Sequence, residues 1–518
     1  MMMNMKVDAI LVADFGGQYC HLIGRRVREQ GVYSEVVACD ISPEEIEKLG
    51  KEFNVKGIIL SGGPASIHGE DAPKFNPGII DIGIPILGLC YGHQSLADEM
   101  GGEVRHADKK EYGITVAKIE KPIGVLKGLD KEEKVWMSHG DTVYSIPDTC
   151  DVLARTENSP VAVFKHKDKP IYGMQWHPEV IHTENGAKMM KNFVFEVCKC
   201  NPNWKMEDVV EKIVREIKEE VGDKKGIIGL SGGIDSSTAT ILAARAMGEN
   251  LTAIFVDHGF MRAGESEMIS KTFEKSGFKF IAVDARDRFM KRLKGVGDPE
   301  EKRKIIGDEF VKVFEEEARK VGAEYLLQGT IYPDRIESGF RRQSDKIKTH
   351  HNVGGLPDKI EFKGVIEPLK DLYKDEVRKI AEALGLPREI VWRPPFPGPG
   401  LAVRITNEIT PEKVEVLKKA DKIVTDEIEA EGFEKNLWQY FAVMTGTMST
   451  GVKGDSRAYG YTIAVRVVES KEAMTASYAK IPHEVLERIS TRITNELPKV
   501  TRVVYDITHK PPATIEWE

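Results

Sequence analysis

The sequence predicts an α/β protein, with two doubly wound α/β regions followed by a smaller α+β region. Three observations carry this. Short apolar runs alternate with helical segments from residue 6 to about 200 and again from Lys225 to about Trp392, the pattern of sheets covered by helices. Three of those runs end in glycine loops: Ser61-Gly62-Gly63-Pro64, Gly88-Leu89-Cys90-Tyr91-Gly92 and Ser231-Gly232-Gly233-Ile234-Asp235-Ser236-Ser237. The chain has 518 residues, too many for one hydrophobic core.

In the first region the runs at 9–13, 57–60, 84–89 and 171–175 read as strands. The stretch Cys-Lys-Cys-Asn-Pro-Asn-Trp at 198–204 breaks the alternation and reads as a linker. Residues 206–221 follow as an amphipathic helix, with Val209, Val210, Ile213, Val214 and Ile217 on one stripe. The second region has strands at 251–256, 280–283 and 324–327, and a proline cluster at 393–401 closes it. The last region mixes strands at 462–468 and 502–507 with a helix at 411–429, too small and too mixed for a third doubly wound sheet. Domains are expected at 6–200, 201–393 and 394–518.

Composition narrows the function. With 74 Lys and Arg against 82 Asp and Glu, the net charge of −8 disfavours a general nucleic-acid binder. No apolar run approaches the roughly 20 residues that span a bilayer. The N-terminus lacks a signal-peptide pattern, so a cytoplasmic location is expected; three leading methionines leave the start codon open. Six cysteines in so long a chain make no disulfide framework, and none has zinc-ligand spacing. Five read as bystanders; Cys90 does not.

Cys90 lies at the centre of Gly-x-Cys-x-Gly, between an apolar strand and a helix beginning near His93. That is the strand–turn–helix elbow that exposes a nucleophile, with sulfur in place of a serine oxygen. A thiol at a helix N-terminus ionises more readily. His177 and Glu179 stand two residues apart at a strand end, on one face of extended backbone, where His177 can deprotonate Cys90 and Glu179 can orient the imidazole. The loop at 61–64 offers backbone N–H groups for half an oxyanion hole, and Tyr91 offers the other half.

The second loop, Ser231 to Ser237, lies between the apolar run 226–230 and an alanine-rich helix. Its backbone N–H groups and the helix N-terminus converge on one point, a cradle for phosphate. Without the Lys of GxxxxGK[ST], it is not a Walker loop. Behind it, the strand running into Val256 and Asp257 and the loop Gln328-Gly329-Thr330 are further strand ends of the kind that hold nucleotides, with adenosine contacts expected from Val256 and its neighbours.

In order, Ser-Gly-Gly-Pro, Gly-Leu-Cys-Tyr-Gly and Gln175-Trp176-His177-Pro178-Glu179-Val180 resemble the class I glutamine amidotransferases over nearly all of residues 6 to 200. The resemblance implies Cys90 as nucleophile, His177 as base, Glu179 as orienter and Gly63 with Tyr91 as oxyanion donors. Tyr91 and Gln94 also fit the family's glutamine signature, and Ser138-His139-Gly140-Asp141 matches a loop near that site. Ser-Gly-Gly-x-Asp-Ser resembles the N-type ATP pyrophosphatases, of adenine-nucleotide α-hydrolase-like fold, which cleave ATP between the α and β phosphates.

The pairing of the two is similar to the GMP synthase family. Further matches lie at 302–310, 328–338, 347–357, 396–401 and 510–518, so the resemblance spans essentially the whole chain. It implies a class I glutaminase, an ATP pyrophosphatase and a C-terminal dimerisation domain in a homodimer. The substrates implied are XMP, glutamine and ATP with Mg2+, without nucleic acid or membrane partners. It assigns Ser231, Gly232, Gly233, Asp235, Ser236 and Ser237 to pyrophosphate, and Arg262, Asp455, Lys510 and Glu516 to XMP. Lys348 belongs to a lid over ATP; no metal ligands are assigned. Because Lys510 and Glu516 are remote from Arg262 in sequence, the last region must fold back on the second, or reach it across a dimer. One departure stands at 446–455, where bacterial members usually carry Arg at the position of Met448.

Other readings are separable. A tRNA-thiolating enzyme needs a basic surface and a relay cysteine in the second region, whereas this chain is acidic and has no cysteine after Cys200. NAD synthetase shares the loop but uses a different glutaminase. An inactive scaffold or nucleotide sensor has no need of Cys90, His177 and Glu179 together.

Overall fold

The computed structural model describes residues 6–339, 362–470 and 475–518. Lys348 and the rest of the 347–357 segment lie outside the described residues. The chain forms two compact units, Met1–Val209 and Val210–Glu518.

The first unit holds strands β1 (Asp8–Asp14), β2 (Tyr33–Ala38), β3 (Asn54–Leu60), β4 (Ile86–Leu89), β5 (Glu103–Ile119), β6 (Glu132–Ser145), β7 (Cys150–Arg155), β8 (Val163–His166) and β9 (Ile171–Met174). Helices α1 (Cys20–Arg28), α2 (Pro43–Leu49), α3 (Tyr91–Glu99) and α4 (Gly186–Lys191) accompany them. The sheet order is β2-β1-β3-β4-β9-β8-β7-β5-β6. β1 to β4 and β9 pair in parallel, and the rest are added antiparallel. The strand order reverses beside β1, so the loops after β1, β3 and β4 share one crevice, the usual ligand position of such sheets.

The expected linker at 198–204 is instead packed on this unit. Cys198, Cys200 and Trp204 are buried. The Asp8 carboxylate accepts from the Asn201 N–H at 2.8 Å, the Asp8 N–H donates to Asn203 at 3.0 Å, and the Trp204 ring lies 4.8 Å from that of Tyr33. Side-chain partners supplied nearly 200 residues away override the local composition that reads as a tether.

The helix expected at 206–221 forms as α5 (Met206–Val221), with Val209, Ile213, Ile217 and Val221 buried at four-residue spacing. The second unit continues with β10 (Gly226–Gly229), α6 (Ile234–Met247), β11 (Leu251–Asp257), α7 (Glu265–Phe273), β12 (Lys279–Asp284), α8 (Arg286–Arg292), α9 (Pro299–Val321) and β13 (Tyr325–Leu327). Next come α10 (Tyr332–Gly339), β14 (Gly364–Ile366), α11 (Lys374–Ala383) and α12 (Arg388–Val391). The parallel sheet has order β12-β11-β10-β13-β14 and switches direction between β10 and β13. The last segment holds α13 (Pro411–Ala430), β15 (Gln439–Lys453), β16 (Ser456–Glu469), β17 (Ser477–Tyr478), α14 (His483–Glu496) and β18 (Val500–Tyr505), an α+β arrangement around a long β15–β16 hairpin. It shares one apolar core with the parallel sheet, in which Val256 and Phe260 pack with Leu401, Leu417 and Ile463. Among the described residues no helix is long and apolar enough to cross a membrane.

Candidate active sites

Cys90 caps the N-terminus of α3 at φ 50° and ψ −103°, a left-handed conformation for a residue with a Cβ. Such strain persists where the surroundings over-determine it. Here the Cys90 N–H is held by the Met174 carbonyl at 2.9 Å and the Gly92 N–H by the Ser61 carbonyl at 3.1 Å. A Cβ on Gly92 would stand 2.4 Å from the Leu60 carbonyl oxygen, so glycine there lets the elbow press on β3.

Cys90, His177 and Glu179 lie in one buried cluster. Cys90, His177 and Glu179 are 5%, 3% and 1% exposed. His177 Nδ1 lies 2.7 Å from Glu179 Oε1. Its backbone is fixed by Trp136 and Thr183, at 3.1 and 2.7 Å. Burial alone would depress the His177 pKa, but the Glu179 carboxylate and the Cys90 sulfur raise it well above the ordinary value. A protonated imidazole is the counter-ion a thiolate needs. Glu179→Gln removes a negative charge from His177, so His177 then loses its proton at lower pH. The alkaline limb of the glutaminase kcat/KM profile is expected to move to lower pH in that variant, measured by glutamate release.

The 61–64 loop faces the same sulfur: a Cβ on Gly62 would lie 3.5 Å from Cys90 Cβ and 3.0 Å from His177 Cε1. Among the described residues neither the Gly63 nor the Tyr91 N–H has an acceptor within the protein, which leaves both for a developing oxyanion. Gln94 is buried and already committed, donating to the Asp141 carbonyl at 2.7 Å and to Gln175 at 3.2 Å. One residue that sequence reasoning missed is Tyr19, whose ring meets His177 edge-on at 5.1 Å.

In the second unit, Ser231, Gly232 and Gly233 lie between β10 and α6, and Asp235, Ser236 and Ser237 follow in the first turn of α6. Gly232 takes φ 76°, and a Cβ there would meet Ile269 Cδ1 at 2.2 Å. The hydroxyls of Ser231 and Ser236 lie 3.0 Å apart, and the Ser231 oxygen accepts from the Gly233 N–H at 3.3 Å. Ser237 is fully buried, and among the described residues its hydroxyl has no partner. Asp235 Oδ2 pairs with Lys374 at 2.5 Å, while its Oδ1 is buried without a partner among the described residues. Gly329, from the loop after β13, packs on Ser236, so the strand ends on both sides of the sheet's switch point meet here. Val256 lies near the end of β11 with its side chain in the apolar core, so it offers a nucleotide only backbone groups.

Three arginines surround the Phe396 ring: Arg262 at 5.4 Å, Arg393 at 5.1 Å and Arg404 at 5.1 Å. Arg262 pairs with Asp421 at 3.1 Å, and Arg404 makes two 2.9 Å bonds to Glu516. Arg393 donates to the Gly232 carbonyl at 3.1 Å and pairs with Glu265 at 2.7 Å. Glu265 in turn accepts the Arg262 N–H at 3.0 Å. A cavity of about 660 Å³ opens here, lined by Arg262, Glu265, Arg393, Asp421 and Tyr440 among others, within the usual range of small-molecule sites. Arg262 and Glu516 therefore belong to one charged network that reaches the pyrophosphate loop through Arg393. Sequence reasoning missed Arg393 and Glu265, since only the fold places them beside residue 232.

Lys510 lies on the returning tail, paired through its backbone with Ala476. Asp455 is elsewhere. With Gly454 it makes the two-residue turn between Lys453 and Ser456, at φ 54° and 59°, the type I′ geometry that Gly and Asp tolerate. Tyr440, which lines the cavity, is thirteen residues from Lys453 along β15, roughly 40 Å at the usual rise per residue. Within one chain Asp455 does not join Arg262 and Glu516. Met448, the departure from the usual pattern, follows the hairpin's bulge and is partly exposed opposite Tyr461.

Known families match along the chain. Residues 11–197 match the family model for glutamine amidotransferase class-I, residues 205–305 that for NAD synthase and residues 426–517 that for the GMP synthase C terminal domain. Glutamine-hydrolysing GMP synthases of Caldanaerobacter subterraneus and Caldicellulosiruptor saccharolyticus are each 52% identical to the chain, over 100% and 99% of it and 100% of their own length. That of Bacillus cytotoxicus is 51% identical over the full length of both. Full-length identity of this order, on a fold that supplies both a thiol elbow and a pyrophosphate loop, shows that the chain belongs to the glutamine-hydrolysing GMP synthase family.

Proposed function

We infer that the chain is a ligase that aminates XMP to GMP, using ATP and the amide nitrogen of glutamine, with its chemistry divided between the two sites above. The observation that carries this reading is the buried cluster of Cys90, His177 and Glu179 in the same chain as a glycine-serine cradle at a switch point.

In the glutaminase, Cys90 Sγ attacks the side-chain carbonyl carbon of glutamine. The oxyanion that forms is met by the N–H groups of Gly63 and Tyr91. His177 gives its proton to the departing nitrogen, and ammonia leaves. Water, deprotonated by His177, then cleaves the thioester to glutamate. In the synthetase, the 2-oxo oxygen of XMP attacks the α-phosphorus of ATP and pyrophosphate departs into the loop of Ser231 to Ser237. Ammonia then attacks C2 of the adenylated XMP, AMP leaves, and GMP remains.

The orphaned Oδ1 of Asp235 fits a Mg2+ ion that arrives on ATP, since this ion is usually held by one or two carboxylates together with phosphate oxygens. When bound, Mg2+ neutralises phosphate charge as pyrophosphate leaves. Lys374 holds the other carboxylate oxygen and fixes the rotamer. ATP, glutamine and XMP are intracellular metabolites, which supports a cytoplasmic enzyme acting without nucleic acid or membrane.

Arg262, Glu516 and Lys510 make the XMP site, with Asp455 contributed by a partner copy. The length of the hairpin supports this, because its tip is far from its own cavity and projects Asp455 outward. Exposed Val452 and Tyr459 on the same hairpin support a homodimer through this face. In that arrangement Arg262→Ala and Asp455→Ala each inactivate GMP formation alone. Unfolded and refolded together in equal amounts, they recover roughly a quarter of the parent activity, because half of the two-fold dimers are mixed and each has one intact site. No recovery above the separate variants would place Asp455 outside the XMP site or in its own subunit's.

A further inference from the structure

The β5–β6 hairpin holds a buried hydrogen-bonded pair that the mechanism above leaves unused. Glu111 and His139 face each other across the two strands, just beyond a break in register at His106/Glu111. They are 4% and 5% exposed. His139 Nε2 lies 3.1 Å from Glu111 Oε2, and His139 Nδ1 lies 2.8 Å from the Asp141 carbonyl oxygen. Both ring nitrogens thus meet oxygens.

Glu111 is otherwise fully engaged. Ser159 Oγ donates to it at 2.7 Å and Thr156 Oγ1 at 2.9 Å. Burial alone would push its carboxyl up, but these donors and His139 hold it below the usual carboxylate range. A buried network satisfied in this way rigidifies the backbone it touches.

That backbone is part of the glutaminase site. The Asp141 carbonyl, held by His139, also accepts Gln94 Nε2, and Gln94 stands in the first turn of α3, directly after the nucleophile. The Ser138 carbonyl, adjacent to His139, lies 3.6 Å from Cys90 Sγ. The pair therefore anchors a four-residue stretch that touches the nucleophile at one end and its helix at the other.

We propose that Glu111 is a positioning residue of the glutaminase reaction, acting through His139 to fix the 138–141 backbone so that Cys90 is held in its attacking orientation. This rests on Cys90 being the nucleophile.

The test compares Glu111→Ala and Glu111→Gln in the full-length protein. Glutaminase kcat and KM are measured beside GMP formation from ammonium salts. Glutamine at 111 keeps an oxygen for the His139 N–H; alanine does not. The expected result is a fall of about 10- to 100-fold in glutaminase kcat/KM for Glu111→Ala, taken mainly in kcat, as misplacement of a reacting group by about 1 Å produces. Ammonium-dependent synthesis stays within about two-fold of the parent, and Glu111→Gln recovers most of the loss. Should Glu111→Ala fail to fold, Ser159→Ala removes one donor to Glu111 and is expected to show the same one-sided loss, about five-fold, the share of one hydrogen bond. Equal losses with glutamine and with ammonium, or an unchanged glutaminase kcat/KM in folded Glu111→Ala, overturn the proposal. Glutaminase activity that survives Cys90→Ala instead defeats the assignment of the nucleophile.

Discussion

Cys90→Ala is expected to abolish glutamine-dependent GMP formation and to leave formation from ammonium salts close to the parent rate. The first effect is large because a thioester intermediate has no substitute route: without Sγ neither His177 nor the Gly63 and Tyr91 N–H groups have a bond to act on. A loss of about 10⁴-fold or more is anticipated, the scale seen when a nucleophile is removed from a triad. The second effect follows from the separation of the chemistry. Cys90 lies in the first compact unit, and the pyrophosphate loop with the arginine-lined cavity lies in the second. Alanine also relieves little of the strain at φ 50°, so the elbow stays folded on its hydrogen bonds to Met174 and Ser61. Parallel assays with glutamine and with ammonium chloride, each read by GMP formation, check both halves. A folded variant that loses both activities contradicts the division of labour.

Asp235→Asn is expected to slow XMP-dependent exchange of pyrophosphate into ATP by roughly 10²- to 10³-fold, the effect of losing one preorganised electrostatic group from a reacting site. The carboxylate contributes one oxygen to Lys374 and leaves the other, at the start of α6, buried and unpartnered among the described residues. The amide keeps the shape and loses the charge, so the unfolding temperature should change little while the exchange rate falls. Basal glutaminase activity, which depends on Cys90 and His177, should remain. An exchange rate equal to the parent's would remove Asp235 from the ATP site.

What was legible in the sequence was what is local. The nucleophile elbow and the pyrophosphate loop are each strand, turn and helix within about a dozen residues, so apolar runs and glycines announce them. His177 and Glu179 share a face because extended backbone alternates. Arg393, Glu265, Tyr19 and Glu111 were not legible, because each gains its role from a partner that the fold delivers. Arg393 reaches Gly232 from 161 residues away, and Glu111 accepts from Ser159 across 48. The packing of the 198–204 stretch was not legible for the same reason, since Asp8 and Gly31 supply the partners that hold it. Asp455 shows the converse: its position in the pattern carried over, but the Gly454-Asp455 pair also meets a demand of hairpin geometry.

The central claim is that one chain moves an amide nitrogen into a purine by way of an adenylated oxygen, and isotope transfer tests it most directly. The protein is supplied with ATP, glutamine labelled with ¹⁵N at the amide, and XMP labelled with ¹⁸O at the 2-oxo position, and the products are weighed by mass spectrometry. The account predicts ¹⁵N in the new amino group of GMP and ¹⁸O in the phosphate of AMP, with unlabelled pyrophosphate. Label in orthophosphate with ADP as the partner product, or ¹⁵N that stays in free ammonium while XMP is unchanged, would contradict it.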